Sequence, residues 1–203
     1  MFVLLMPAEI YEIIRSKVLL NLSSNLSKDL WYHGVHHTID VEIQAERIAL
    51  NENIISTDEL FLLKVACLYH DTGFLFSYDE HEAAGCSLAK KELPAFGLNP
   101  KQVEIICGMI MATKIPQTPL NKLEEIICDA DLDYLGRDDF YPISNTLFLE
   151  LKLRGFVKTE NDWNLIQIRF FKQHRFFTAT NKKLRDQEKQ HHLEMIESVT
   201  LSG

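Results

Sequence analysis

Four short stretches carry most of the side chains able to do chemistry: WYHGVHHTIDV (Trp31 to Val41), CLYHDTGF (Cys67 to Phe74), YDEHEAAGC (Tyr78 to Cys86) and CDADLDYLG (Cys128 to Gly136). They are rich in histidine and aspartate, the residues that ligate divalent cations and move protons near neutral pH. His70-Asp71 closes an apolar segment and is followed at once by Thr72-Gly73, so both side chains sit at a turn where they can lean toward one ion. Two imidazoles and two carboxylates drawn from separate helices suit Mg, Mn or a divalent transition metal, and leave coordination positions open for water and a substrate oxygen. Such an open site lowers the pKa of water and polarises a phosphoryl oxygen, which is most of what phosphoester hydrolysis requires. A thiolate-rich structural zinc site is excluded. The cysteines (Cys67, Cys86, Cys107 and Cys128) are widely spaced with no CxxC pair, as expected of small buried side chains in a reducing cytoplasm.

The elements that must position these residues read as helices almost throughout. Ile10, Ile13, Ile14, Val18 and Leu22 recur at helical spacing with Lys17 as a polar intruder. Further helices are predicted over His36 to Leu50, Thr57 to Tyr69, Glu82 to Leu93, Pro100 to Thr113, Asn121 to Leu135, Asp138 to Arg154, Asp162 to Phe177 and Asn181 to Ser198. Ser56 or Thr57 with Asp58 and Glu59 makes an N-terminal cap, and Pro100 stands where a first turn tolerates proline. No segment alternates polar and apolar residues long enough to demand a strand, so the fold class is all-α. With 203 residues, no internal repeat and no Gly/Ser linker, the chain reads as a single domain over 1–203. Its chemistry lies within about 31–136, and helices over 138–200 pack on that core.

Composition narrows the partners. Lys plus Arg total 21 against 29 Asp plus Glu, a formal charge of -8, which disfavours a nucleic-acid backbone as the main partner. A bound cation lets so acidic a protein accept a small anionic substrate. Charge is uneven: Arg169 to Lys189 carries a local +5 interleaved with Phe170, Phe171, Phe176 and Phe177, leaving -13 elsewhere. Aromatic pairs at helical spacing read first as core, and strand binding by this segment is the lesser expectation. The run MFVLLM lacks a cationic lead and a small-residue cleavage site, so it reads as neither a signal peptide nor a membrane span, and the expected location is cytoplasmic.

The order of a histidine near YHxxxHT, an apolar helix ending in His-Asp, and an Ala-Asp within DADLDYLG resembles the HD-domain superfamily of metal-dependent phosphohydrolases. The stretches ICGMIMATK (Ile106 to Lys114) and QHRFFTAT (Gln173 to Thr180) look like its small stand-alone bacterial members, extending the resemblance over nearly the whole chain. It implies a helical HD-type bundle in which His37, His70, Asp71 and Asp131 ligate a metal. His33 and His36 compete with His37. His33 lies four residues earlier and would share its face if the helix reached that far, which Gly34 opposes. Asp129 and Asp133 share one helix face while Asp131 lies about 200° round from Asp129. The resemblance selects Asp131 and leaves the other two as caps or solvated charge.

In two-metal branches of that superfamily further histidines lie between the His-Asp pair and the last aspartate. His81, shortly before Gly85, matches the first; the second is expected near Met111 to Lys114, where the chain reads MATK. One divalent ion is therefore expected, a second is not, and the di-iron oxygenase reading loses its ligand set. His81 is expected to touch substrate or water, and Asp71 or His81 to take the proton. His33 is a candidate for contacting substrate, and Lys114, His174 and Arg175 are candidates for its phosphate, whose charge an ammonium and a guanidinium match. The implied activity is hydrolysis of a small, nucleotide-like phosphoester by water activated at the metal. The alternative is a catalytically weak regulatory domain of the same fold that binds metal and nucleotide. Association with a second copy of the chain is left open.

Overall fold

The computed structural model describes residues 7–54 and 56–201, so the apolar run over residues 1–6 lies outside the described residues. Nine α-helices follow one another, and no strand occurs among the described residues: α1 (Pro7–Asn25), α2 (Val35–Asn51), α3 (Thr57–Tyr69), α4 (His81–Glu92), α5 (Pro100–Ala112), α6 (Lys122–Asp131), α7 (Phe140–Leu153), α8 (Glu160–Gln173) and α9 (Ala179–Leu201). The starts are written in the local sequence. The Ser56 hydroxyl accepts the Glu59 amide at the head of α3. Asn99 with Gln102 and Thr159 with Asp162 form reciprocal capping boxes at α5 and α8. Gly34 caps α2, so this helix stops short of His33, as its glycine predicts.

The inward stripe of α1 is Tyr11, Ile14, Val18 and Leu22, whereas Ile13 faces solvent. Lys17 is no intruder on that face: its ammonium pairs with Glu92 at 3.0 Å and lies over the Phe96 ring. Helices α1 to α6 enclose one apolar cluster that includes Ile14, Leu63, Leu68, Ile106, Ile110 and Ile127. A second cluster, built around Leu135, Phe140, Phe171, Phe176, Leu193 and Ile196, forms where α7, α8 and α9 meet the turn after α6. Phe171 and Phe176 of the aromatic, cationic C-terminal segment are thus core, and all four cysteines are buried free thiols. No helix among the described residues is long and apolar enough to cross a membrane.

Two predicted helices end earlier than their periodicity suggests, each because an aspartate of CDADLDYLG seizes backbone or guanidinium groups. The helix over Asn121 to Leu135 breaks after Asp131 into a 3-10 turn, Asp133–Gly136. Buried Asp133 there receives Arg47 at 2.7 Å, Asn181 at 3.0 Å and Arg185 at 3.1 Å. The helix predicted to run to Phe177 ends at Gln173, and His174 is extended. The buried Asp129 carboxylate accepts the amides of Phe177 and Thr178 at 2.8 and 2.9 Å and the Thr178 hydroxyl at 2.6 Å, holding that connector against α6. Neither residue is a solvated charge; together they clamp the C-terminal helices onto the first six.

The turn after the His-Asp pair is equally constrained. A Cβ on Gly73, in the 3-10 turn Thr72–Leu75, would lie 1.7 Å from the His81 carbonyl oxygen, so the turn and the head of α4 touch backbone to backbone. Gly73→Ala must force them apart. The expected cost is about 2 kcal/mol or more, a melting temperature lower by roughly 4–8 °C in a domain of this size, checked by calorimetry.

Candidate functional site

The four residues implied as ligands meet at the junction of three helix ends. His37 is the third residue of α2, His70 and Asp71 follow the last residue of α3, and Asp131 closes α6. The ligand atoms of His37, His70 and Asp131 all lie within 4.8 Å of one another. His37 Nε2 is 3.1 Å from Asp131 Oδ1 and 3.4 Å from His70 Nε2. Asp71 Oδ2 completes the group at 3.2 Å from His70 Nε2 and 3.4 Å from His37 Nε2. His36, the competing histidine, points to solvent.

Local bonds aim these atoms. His70 Nδ1 donates to the Cys67 carbonyl at 2.8 Å; because a carbonyl can only accept, Nδ1 carries a proton, and Nε2 is the nitrogen turned to the cluster. The Thr72 hydroxyl donates to the Tyr69 carbonyl at 2.8 Å and fixes the turn that carries Asp71. Burial alone would depress the His70 imidazole, but Asp71 and Asp131 outweigh it and lift the group to about 9. Burial would likewise raise Asp71, yet the neighbouring His70 holds its carboxyl well below the usual carboxylate range. This is an enclosure that demands positive charge. Asp71 Oδ2 is buried and accepts no hydrogen bond, although charged oxygens in protein interiors are normally saturated. An orphaned carboxylate oxygen beside two imidazole nitrogens fits a divalent cation bound by His37, His70, Asp71 and Asp131.

His81 stands at the edge of the cluster, its Nε2 3.6 Å from Asp71 Oδ1 and 3.4 Å from Glu82 Oε1, with its ring stacked on Phe74 at 4.0 Å. His33 also packs on Phe74, with ring centroids 4.2 Å apart, and its ring lies 6.2 Å from that of His81. The remaining candidates lie elsewhere. Lys114 pairs with Glu80 at 2.6 Å on the surface and does not line the cavity beside the cluster. His174 and Arg175 border a neighbouring pocket with Pro116 and Phe177. Burial and the adjacent Lys189 push the His174 imidazole down to about 3, so it is neutral at pH 7 and offers a phosphate no charge.

Sequence reasoning missed Glu150. This fully buried α7 carboxylate accepts the Tyr32 amide at 3.0 Å, His33 Nδ1 at 2.6 Å and the Tyr78 hydroxyl at 3.2 Å, and so orients His33 toward the cluster. Its signal was a lone acid within the apolar run LFLEL. Glu150→Gln keeps the volume but weakens the charge-assisted bond to His33. Turnover is expected to fall about 10-fold or more, in the range of lost outer-shell partners, while metal content stays at the wild-type level. Steady-state kinetics paired with elemental analysis checks both.

Residues 34–133, from the cap of α2 to the residue after next beyond Asp131, match the family model described as HD domain. No curated protein matches the chain. Among solved structures, a predicted HD superfamily hydrolase from an uncultured Thermotogales bacterium is 21% identical. The match covers 96% of this chain and 91% of that one, with a TM-score of 0.56. A Lactobacillus plantarum protein is 16% identical over 96% of this chain and 98% of its own, with a TM-score of 0.65. Both share the helical fold. The chain carries an HD domain over residues 34–133, the domain of a superfamily of metal-dependent hydrolases.

Proposed function

We propose that the protein hydrolyses a phosphoester of a small molecule, with nucleotide-like compounds among the candidates, at one divalent ion held by His37, His70, Asp71 and Asp131. The observation that carries this reading is the buried Asp71 oxygen without a hydrogen bond, set between two imidazole nitrogens. When bound, such an ion lowers the pKa of water and polarises a phosphoryl oxygen. The chain's own groups do the rest. Asp71 Oδ1 and His81 Nε2 face each other and form the pair able to take a proton from the attacking water. Phe74 holds the His81 ring by stacking, and Glu82 stands within reach of the same nitrogen. His33, fixed by Glu150, offers its second ring nitrogen to a phosphoryl oxygen or the leaving group.

The reading is tested by a screen of divalent metals against nucleoside mono-, di- and triphosphates, cyclic nucleotides and aryl phosphates, with Asp71→Ala as the blank. Metal-dependent phosphate or alcohol release that is absent from the blank supports it. Tight nucleotide binding without product over hours, in the presence of Mn, supports the regulatory domain instead.

A further inference from the structure

The cluster closes one end of a cavity of about 230 Å³, and the two ends differ sharply in chemistry. Asp71, Asp131, His33, His81 and Glu82 stand at the metal end. The far walls come from the C-terminal helices: Phe140, Leu147 and Leu151 of α7, with Trp163, Ile166 and Phe170 of α8. Most polar groups that line the cavity have partners in the protein, whereas the buried Tyr32 hydroxyl has none. Trp163 Nε1 donates to the Ser144 hydroxyl at 3.3 Å, which donates to Gln167 Oε1 at 2.6 Å; Gln167 Nε2 reaches Asn164 at 3.4 Å. The Thr113 hydroxyl donates to the Ile110 carbonyl at 2.8 Å. No lysine or arginine is among the lining residues.

Resting on the phosphoester reading of the cluster, we infer that this cavity seats the apolar alcohol portion, a single aromatic ring or a short alkyl chain, of a phosphomonoester whose phosphoryl group lies at the cluster. Three physical terms lead there. A di- or triphosphate would bring further negative charge into a chamber already holding Asp71, Asp131 and Glu82, with no side-chain cation to offset it. A base and sugar would bury many donors and acceptors against a lining that, outside the metal cluster, offers the Tyr32 hydroxyl as its one unpartnered buried side-chain atom, and would lose most of their hydration without replacement. An apolar body loses nothing polar and gains from leaving water. In the reaction, water oxygen bonds to phosphorus as the phosphorus–ester oxygen bond breaks. One water proton ends on the departing alcohol, the other stays on the inorganic phosphate, and no redox partner is needed.

The test compares kcat/KM for methyl, butyl, hexyl and phenyl phosphate with AMP and ATP, using metal-loaded wild-type protein. In parallel, tryptophan fluorescence is titrated with free hexanol in a Trp31→Phe background, where Trp163 is the remaining tryptophan. Expected are a rise in kcat/KM of up to about fourfold per added methylene, phenyl phosphate ahead of ATP, and a saturable hexanol-induced shift of Trp163 emission. Leu151→Gln should flatten the chain-length slope and weaken the hexanol shift; Leu147→Thr gives the same reading from the adjacent turn if the first variant does not fold. A flat slope with AMP or ATP preferred and no hexanol shift overturns the inference while leaving phosphoester hydrolysis standing. A hexanol shift with no phosphoester cleaved supports the apolar seat and removes the hydrolytic reading.

Discussion

Asp71→Ala is expected to reduce bound divalent metal to near zero and to lower metal-dependent turnover by more than about 100-fold. The lower bound follows from a comparison: loss of an outer-shell partner of a metal ligand already costs about 10–100-fold, and Asp71 is placed as a ligand itself. It also supplies one of the two carboxylates placed as ligands; without it, a divalent ion keeps Asp131 as its one carboxylate ligand. His36→Ala serves as the control, because His36 faces solvent and its loss is expected to change neither quantity. Elemental analysis of purified protein, paired with initial rates, checks the prediction. Full metal content and full activity in Asp71→Ala would contradict it.

Asp133→Ala has the largest expected effect on stability. The carboxylate is fully buried and receives Arg47, Asn181 and Arg185, with Arg137 a further 3.6 Å contact. Burial already depresses Arg47, and Arg185 and Arg137 add to that; Asp133 is the charge that opposes them. Removing one member of such a buried network leaves uncompensated guanidinium groups and costs about 3–5 kcal/mol. In a domain of this size the melting temperature falls by roughly 6–20 °C. Asp133→Asn, which keeps the volume and one acceptor, is expected to lose less. A melt within a degree of wild type would show that Asp133 adds nothing to the hold of Asp129 and the apolar cluster on the C-terminal helices.

Much of this architecture was legible in the sequence because it rests on short-range signals. Periodicity and caps place α3 over Thr57–Tyr69 as predicted, and Gly34 stops α2 one residue short of His33 as its lack of helix preference suggests. The meeting of His37, His70, Asp71 and Asp131 is likewise what the ordered motifs imply. What was not legible depends on pairs far apart in the chain. The early ends of α6 and α8 are set by Asp133 and Asp129 acting on Arg47, Arg185 and the Phe177–Thr178 amides, and periodicity carries no trace of those partners. Glu150 reads locally as a lone acid in an apolar helix, and its meaning appears only when α7 lies beside Tyr32 and His33. Lys114 and Arg175 suit phosphate by residue type, but the fold pairs the first with Glu80 and turns the second to another pocket.

The central claim is that His37, His70, Asp71 and Asp131 together hold one divalent ion. Anomalous diffraction from crystals soaked in Mn tests it most directly. The expected result is a strong peak bounded by His37 Nε2, His70 Nε2 and the Asp71 and Asp131 carboxylates, lost in Asp71→Ala crystals grown the same way. A strong peak elsewhere, with these four side chains unliganded, would contradict the account.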